Sequence, residues 1–395
     1  MKVTEQAVIL AGGRGERLRP FTDTAPKPLY PVLGVPYIER IVLQLRDFGF
    51  SEILILLGYR ADQVMDDLGD GSRFGVHISY DVRPESYDTG DRLKAAMPKI
   101  RDVFLLCYCD NYCPVDMEAL SEAFLRNRAK IQLTVYSNKD GYTKSNLRVD
   151  PESGRVEVYD KTRKAPGLQG VEIGYSFIRK EVLSMLKEPA GGFSTEIFPV
   201  LAEEGSLYAT VTDHRYYSIG SFERMPLTEA FFSGRKAAFL DRDGTLNVKA
   251  PRANYIESPE KLVLLPHAAE AVRLLNEAGY VTVLVSNQPG IARGRLTEED
   301  LDRVHKRLRE MLAEQGASLD HIYYCPHNWD EGCDCRKPKP GLLYKAQHDL
   351  SIDLTKCVLF GDDERDIMAA NAARCPSVMV SDNYPLIEAV REYLR

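Results

Sequence analysis

No part of this 395-residue chain stays apolar for the ~20 residues a helix needs to cross a bilayer. A membrane partner is therefore not expected. The opening residues, MKVTEQ, lead straight into an apolar run, so no export signal is visible and a cytoplasmic location is expected. Cysteine is scarce, at eight residues. Without export, stable disulfides are not expected, and any cysteine cluster points instead to metal or catalysis. Positive charge is also in deficit: 51 Lys and Arg face 58 Asp and Glu, a net charge of −7. That argues against nucleic acid as a main partner but leaves room for a basic pocket holding a phosphorylated metabolite. There is no internal repeat and no low-complexity tract.

What is present suits a globular enzyme of two domains. The chain is 44% hydrophobic and 28% charged, and too long for one ordinary core. In the first half, "AVIL" (7–10) and "ILILL" (53–57) read as buried parallel strands. Between them Ile38, Ile41, Leu45 and Phe48 recur at helical spacing. The alternation restarts near Lys236 with "KAAFL" (236–240), a helix from Pro266 to Ala278, "VTVLV" (281–285) and "CVLF" (357–360). Strand–helix alternation occurring twice predicts an α/β chain of two domains, 1–233 and 236–395, joined around "FFSGRK" (231–236).

The second half carries carboxylates at strand ends. "FLDRDGTLN" (239–247) sets Asp241 directly after an apolar strand and Asp243 two residues on. One carboxylate there can attack phosphorus, and a second can protonate the leaving oxygen and later activate water. Alone, the segment could equally be an Asp-rich turn. Three later features favour chemistry. Ser286 follows a second apolar strand, Lys337 lies in a Pro-rich loop, and Asp362, with Asp363 and Asp366 behind it, follows a third strand. Such carboxylates suit Mg²⁺.

This set resembles the haloacid dehalogenase superfamily of phosphatases over the whole second domain. The resemblance implies Asp241 as nucleophile, Asp243 as general acid/base, and Ser286 and Lys337 as phosphoryl contacts. Asp241, Asp362 and the backbone carbonyl of Asp243 would hold Mg²⁺. Only 44 residues separate Asp241 from Ser286, too few for a large cap, so a capless, open Rossmannoid domain is expected.

"CPHNWDEGCDCRKPKPG" (325–341) contains Cys325, His327, Cys333 and Cys335, a full tetrahedral donor set for structural Zn²⁺ just before Arg336 and Lys337. Together with "SNQPGIARG" (286–294) and "YYCPH" (323–327), this loop resembles the subgroup of heptose 1,7-bisphosphate 7-phosphatases and histidinol phosphatases. The resemblance implies Asn287, Gln288, Arg293 and Arg336 in substrate binding. Cys107, Cys109 and Cys113 are expected to be buried structural residues.

The first half opens with "LAGGRGERLRPFTDTAPKPLYPV" (10–32). Gly12, Gly13 and Gly15 allow backbone N–H groups to approach phosphates, and Arg17 and Lys27 add positive charge. It is not a Walker loop, since no G-K-[ST] follows. The pattern resembles the sugar-1-phosphate nucleotidyltransferases, with their Rossmann-like sheet, over residues 5–230. The resemblance implies that the loop holds a nucleoside triphosphate, that Asp110 binds Mg²⁺ and that Lys161 meets the sugar phosphate. It places Thr89 and Gly90 near base and sugar, and Glu172 and Gly174 on the sugar-facing strand. Gly12, Tyr59 and Thr89 could frame several bases. One departure stands out: "YYSIGS" has Ser218 where the family commonly carries a second metal aspartate, so either the nucleotide phosphates and water complete the metal shell, or Asp213 substitutes, or the domain has weak activity.

Together these resemblances lead to the expectation of a bifunctional enzyme of nucleotide-activated heptose synthesis. It would remove the 7-phosphate of a heptose 1,7-bisphosphate and join a nucleotide, with GTP favoured, to the heptose 1-phosphate. The alternative is a histidinol-phosphate-type phosphatase beside a non-catalytic or differently specific transferase-like domain. A homo-oligomer is compatible with the sequence.

Overall fold

The computed structural model describes residues 3–251 and 254–395. Met1 and Lys2 of the opening segment lie outside the described residues. The chain forms two compact units, Met1–Glu229 and Ala230–Arg395.

The first unit is built on a seven-stranded sheet. In chain order its strands are β1 (Gln6–Ala11), β2 (Glu52–Leu57), β3 (His77–Val82), β4 (Val103–Tyr108), β5 (Ile131–Tyr136), β6 (Val171–Arg179) and β7 (Leu207–Thr212). Their spatial order is β7-β5-β6-β4-β1-β2-β3. All neighbours run parallel except β6, which is antiparallel to both β4 and β5. Every residue of β1 and all but one of β6 are buried. Helices cover both faces of such strands, so they read as unbroken apolar runs. Helix α1 (Tyr37–Asp47) buries Ile38, Ile41 and Leu45, and Phe48 caps its end. Helix α2 (Thr89–Ala96) starts on the Asp88 side chain, which accepts from the Thr89 N–H.

The second unit is a five-stranded, all-parallel sheet. Its strands are β8 (Ala237–Leu240), β9 (Val281–Asn287), β10 (His321–Cys325), β11 (Val358–Gly361) and β12 (Ser377–Met379), in the order β10-β9-β8-β11-β12. Alternate residues enter opposite cores. Ala238, Leu240, Leu284 and Phe360 face one cluster, and Ala237, Phe239, Val283 and Leu359 face the other. Helix α3 (Ala268–Glu277) begins later than Pro266, because His267 has a left-handed φ of 61°. Strand β9 extends through Ser286 and Asn287, so the serine lies in the strand, opposite Tyr324, and not beyond it. Between β8 and β9 the described residues contain one short 3₁₀ turn, Pro259–Lys261, and α3. Of "FFSGRK", the two phenylalanines close a helix that runs from Met225 to Phe232.

Candidate active sites

In a parallel sheet the carboxyl ends of neighbouring strands open into one crevice. Strand β8 lies between β9 and β11, so the residues after these strands meet. Asp241, Asp243, Ser286, Asn287, Gln288, Arg293, Arg336, Lys337 and Asp362 all line one cavity of about 360 Å³.

Asp241 is buried and its backbone N–H donates to the Phe360 carbonyl at 3.0 Å, tying it to β11. The Lys337 ammonium donates to Asp241 Oδ1 at 2.6 Å and to the Val285 carbonyl at 2.8 Å, and it also pairs with Asp366. Burial pushes the Asp241 pKa up to about 6, with Lys337 pulling it down and Asp366 and Asp243 raising it. The Lys337 pKa is raised: burial alone would lower it, but the two carboxylates outweigh that. Asn287 fixes the lysine's backbone, donating to the Lys337 carbonyl and accepting from its N–H, both at 3.0 Å. Both polar groups of the Asn287 amide are therefore engaged by Lys337. Arg293 bonds Asn328 and Tyr255, and Arg336 bonds the His327 carbonyl.

Asp243 is held by four side-chain nitrogens, from Arg242, Asn247 and Gln288. Burial would raise its pKa; the Arg242 guanidinium and these donors more than offset that, and the net shift is downward. Gly244, at φ 100°, lets the next strand's carboxylate come close: a Cβ there would lie 2.2 Å from Asp362 Oδ2.

Asp241, Asp362 and Asp366 offer oxygens within 4.8 Å of one another. Asp362 Oδ1 is buried without a hydrogen-bond partner among the described residues, while Oδ2 takes Lys249 at 2.7 Å. Burial raises the Asp362 pKa, and the neighbouring Asp241 adds to it. An orphaned oxygen beside a second carboxylate fits a hard cation such as Mg²⁺. Asp366 is the carboxylate whose role sequence reasoning missed. It sits at the third position of helix α4 (Glu364–Ala372), in a capping box with the N-cap Asp363, and carries the lysine. The D-x-x-D spacing was its only signal. Arg242 and Lys249 had none.

The cysteine cluster stands apart from this cavity's lining. Cys325 Sγ is 3.6 Å from both His327 Nδ1 and Cys333 Sγ, and His327 Nδ1 is 3.2 Å from Cys335 Sγ. A disulfide would need about 2.05 Å, and Cys325, Cys333 and Cys335 are not disulfide-bonded. A tetrahedron with metal–sulfur arms of ~2.3 Å separates its sulfurs by about 3.8 Å, so the donor set fits Zn²⁺. Cys107, Cys109 and Cys113 are buried.

The first unit holds a cavity of about 540 Å³ lined by Gly12, Gly13, Gly15, Arg17, Lys27, Thr89, Asp110, Lys161, Glu172 and Ser218. Lys27 pairs with Asp110. A two-residue ladder sets Ser218 opposite Asn111, and the Ile219 N–H donates to the Asp110 carbonyl at 3.1 Å. Serine thus occupies the position beside Asp110. Asp213 does not line the cavity and pairs with Lys139, so it does not substitute. Gly90 and Tyr59 do not line it either. Gly90 packs against the Gly191 carbonyl, and Tyr59 donates to the Thr22 carbonyl at 2.7 Å. A register shift in β6 between Glu172 and Ser176, with Gly174 at φ 87°, turns Glu172 toward the cavity. Glu172 Oε1 is buried and has no hydrogen-bond partner among the described residues, and burial pushes the Glu172 pKa up to about 7. Arg92, Arg163 and Arg224 add further positive charge to the lining. That surplus suits a polyphosphate.

Residues 6–222, more than half of the chain, match the nucleotidyl transferase family. Residues 195–374 match the haloacid dehalogenase-like hydrolases. Over 146 residues the chain is 41% identical to the D-glycero-beta-D-manno-heptose-1,7-bisphosphate 7-phosphatase of Pseudomonas aeruginosa, covering 37% of this chain and 81% of that protein. The same-named phosphatase of Haemophilus influenzae is 38% identical over 169 residues, covering 40% of this chain and 90% of its own length. A Bacillus anthracis protein assigned as a glucose-1-phosphate thymidylyltransferase superposes on 57% of this chain and 94% of its own. Its identity is 22% and its TM-score 0.50, a likeness of fold alone. A crevice of carboxylates and lysine in one unit, and a glycine-rich, cation-lined cavity in the other, thus have their counterparts in two enzyme families: the chain belongs to the nucleotidyl transferases through its first unit and to the haloacid dehalogenase-like phosphatases through its second.

Proposed function

We propose that the chain carries out two consecutive steps of nucleotide-activated heptose synthesis. The phosphatase domain, residues 236–395, would remove the 7-phosphate of D-glycero-D-manno-heptose 1,7-bisphosphate. The transferase domain, residues 1–233, would join a nucleotidyl group to the freed heptose 1-phosphate and release pyrophosphate. The observation that carries this reading is the 41% identity to a heptose bisphosphate phosphatase on the same chain as a nucleotidyl transferase domain. Removing one terminal phosphate leaves a 1-phosphate, the nucleophile that a transferase of this family uses, so the two domains share an intermediate.

In the phosphatase, an Asp241 carboxylate oxygen attacks phosphorus as the bond to the sugar oxygen breaks, giving an aspartyl-phosphate. Asp243 gives its proton to the departing oxygen, then takes one from the water that hydrolyses the intermediate. Lys337 and Ser286 orient the phosphoryl oxygens, and Asn287 acts through Lys337. Arg293 and Arg336 face the rest of the substrate, while Gln288, expected at the same contact, is buried and acts through Asp243 and Ser286. Asp241, Asp362 and the Asp243 backbone carbonyl would hold Mg²⁺, which supplies charge to the phosphoryl group. Cys325, His327, Cys333 and Cys335 would hold a structural Zn²⁺.

In the transferase, Gly12, Gly13 and Gly15 present backbone to the triphosphate. Arg17 and Lys27 supply charge at the α-phosphorus, which the sugar phosphate attacks. Thr89 lies near the base, and Lys161 and Glu172 meet the sugar phosphate. Asp110 would hold Mg²⁺. The preferred nucleotide is GTP, on the resemblance to transferases that make GDP-heptose, and the location is the cytoplasm. Ser218 supports a second reading, a transferase-like domain without activity, because a serine stands beside Asp110 where the family commonly carries a second metal aspartate.

The test supplies the α- and β-anomers of the bisphosphate separately with GTP, ATP, CTP, UTP and dTTP, and follows nucleotide-sugar by mass. A GDP-heptose with GTP giving the highest kcat/KM supports the scheme. A higher value with another nucleotide overturns the base alone. Heptose 1-phosphate without any nucleotide-sugar selects the second reading.

A further inference from the structure

The geometry points to Arg242 as the residue that positions the Asp243 carboxyl for proton transfer, and thereby sets which leaving groups the phosphatase can expel. This rests on the acid/base role proposed above for Asp243.

Arg242 is 1% exposed, an expensive place for a guanidinium. Its side-chain hydrogen bonds go to Asp243 and Gln288. Nη2 donates to Asp243 Oδ2 at 2.8 Å and Nε to Oδ1 at 3.2 Å, a fork on the carboxylate. Nη2 also reaches Gln288 Oε1 at 3.1 Å. Nη1 is buried with no hydrogen-bond partner among the described residues. The residue's placement makes sense through what its other nitrogens hold.

Gln288 extends the hold to the next strand. Its Nε2 donates to Asp243 Oδ2 at 3.2 Å and to Ser286 Oγ at 2.8 Å. Asn247, itself fully buried, donates to Asp243 Oδ1 at 3.0 Å. The Arg242 carbonyl accepts from the Leu246 and Asn247 N–H groups at 2.9 and 3.0 Å, closing the turn that carries Asp243. The carboxyl is thus fixed in one orientation relative to the serine on its neighbouring strand.

The chemistry follows from charge. As the bond from phosphorus to the leaving oxygen breaks, that oxygen takes the Asp243 proton and the carboxylate charge appears on Asp243. In the form that carries this proton, the guanidinium fork meets the charge where it develops, so its effect is larger after transfer than before; the same attraction holds the resting pKa down, so rates are compared on the acidic limb of the pH profile. An alkoxide leaving group needs this proton. A stable phenolate does not.

The experiment measures kcat/KM for aryl phosphates of rising leaving-group pKa, from 2,4-dinitrophenyl to phenyl phosphate, in the full-length wild-type protein and its variants. Asp243→Asn should make the dependence on leaving-group pKa steep. Arg242→Met should do the same, losing about 100-fold on phenyl phosphate and less than about 3-fold on the dinitrophenyl ester. Arg242→Lys keeps a cation without the fork, guards against a folding failure of the methionine variant, and should lose about tenfold on phenyl phosphate only. Equal losses across the series in Arg242→Met, or a wild-type slope in Arg242→Lys, would overturn the inference while leaving Asp243 as the acid. An unchanged slope in Asp243→Asn would remove the acid/base reading itself.

Discussion

Asn287→Ala separates two roles that one residue could hold. The sequence pointed to a substrate contact, whereas the structure engages both polar groups of the side chain with the Lys337 backbone at 3.0 Å. Each hydrogen bond contributes about 1 kcal/mol net, and stranding a buried partner costs about 1–3 kcal/mol. Lys337 is 5% exposed, so little water replaces the lost amide. A total near 3 kcal/mol is expected, lowering the melting temperature of a unit of this size by about 6–12 °C. The Lys337 ammonium is also released from its place between Asp241 and Asp366. A misplacement of about 1 Å at a catalytic group costs on the order of 100-fold. Steady-state phosphatase kinetics should therefore show kcat falling by about that factor with KM nearly unchanged. A variant with wild-type melting and kcat but a raised KM would refute the clamp and restore the substrate contact.

Three more outcomes are expected. Elemental analysis of untagged protein should find about one zinc per chain, and Cys333→Ser should lower the melting temperature more than it lowers phosphatase kcat; protein without zinc would remove the metal reading. Asp241→Asn should abolish phosphatase turnover while leaving pyrophosphate release by the transferase intact, and loss of both in a folded variant would contradict independent domains. Glu172 has a pKa raised from 4.5 to about 7 by burial, so the folded unit keeps that proton where the unfolded chain has lost it. Its contribution to stability is present below pH 4.5 and fades as pH rises to about 7. If the ionised carboxylate accepts a sugar hydroxyl, transferase kcat/KM should rise through pH 7, and Glu172→Gln should flatten that limb.

Much of this architecture was legible because strand ends announce themselves. Apolar runs ending in Asp241, Ser286 and Asp362 place three polar groups on one edge of a parallel sheet, and the cysteine spacing brought its four donors together. The antiparallel β6 was not legible, since a strand buried on both faces reads the same in either direction. Asp366 looked like one more acid in an acidic run, and only its place in the capping box that starts α4 sets it beside Lys337. Arg242 is charged and flanked by aspartates, so nothing in sequence marks it as 1% exposed. Asp213 offered the right chemistry near Ser218, but the chain carries it to Lys139 instead.

Two glycines set how the phosphatase unit tolerates random change. At Gly244 a single added carbon would sit 2.2 Å from Asp362 Oδ2, and at Gly361 it would sit 2.4 Å from Asp366 Oδ2. Neither carboxylate has slack, since each also carries a lysine. In a mutagenised library selected for phosphate release, both positions should stay fixed. Gly279 and Gly332, with nothing within 4 Å of an added Cβ and φ of 79° and 69°, should drift to asparagine. Selection would thus draw the outline of the active site in glycines alone, without one catalytic side chain being altered.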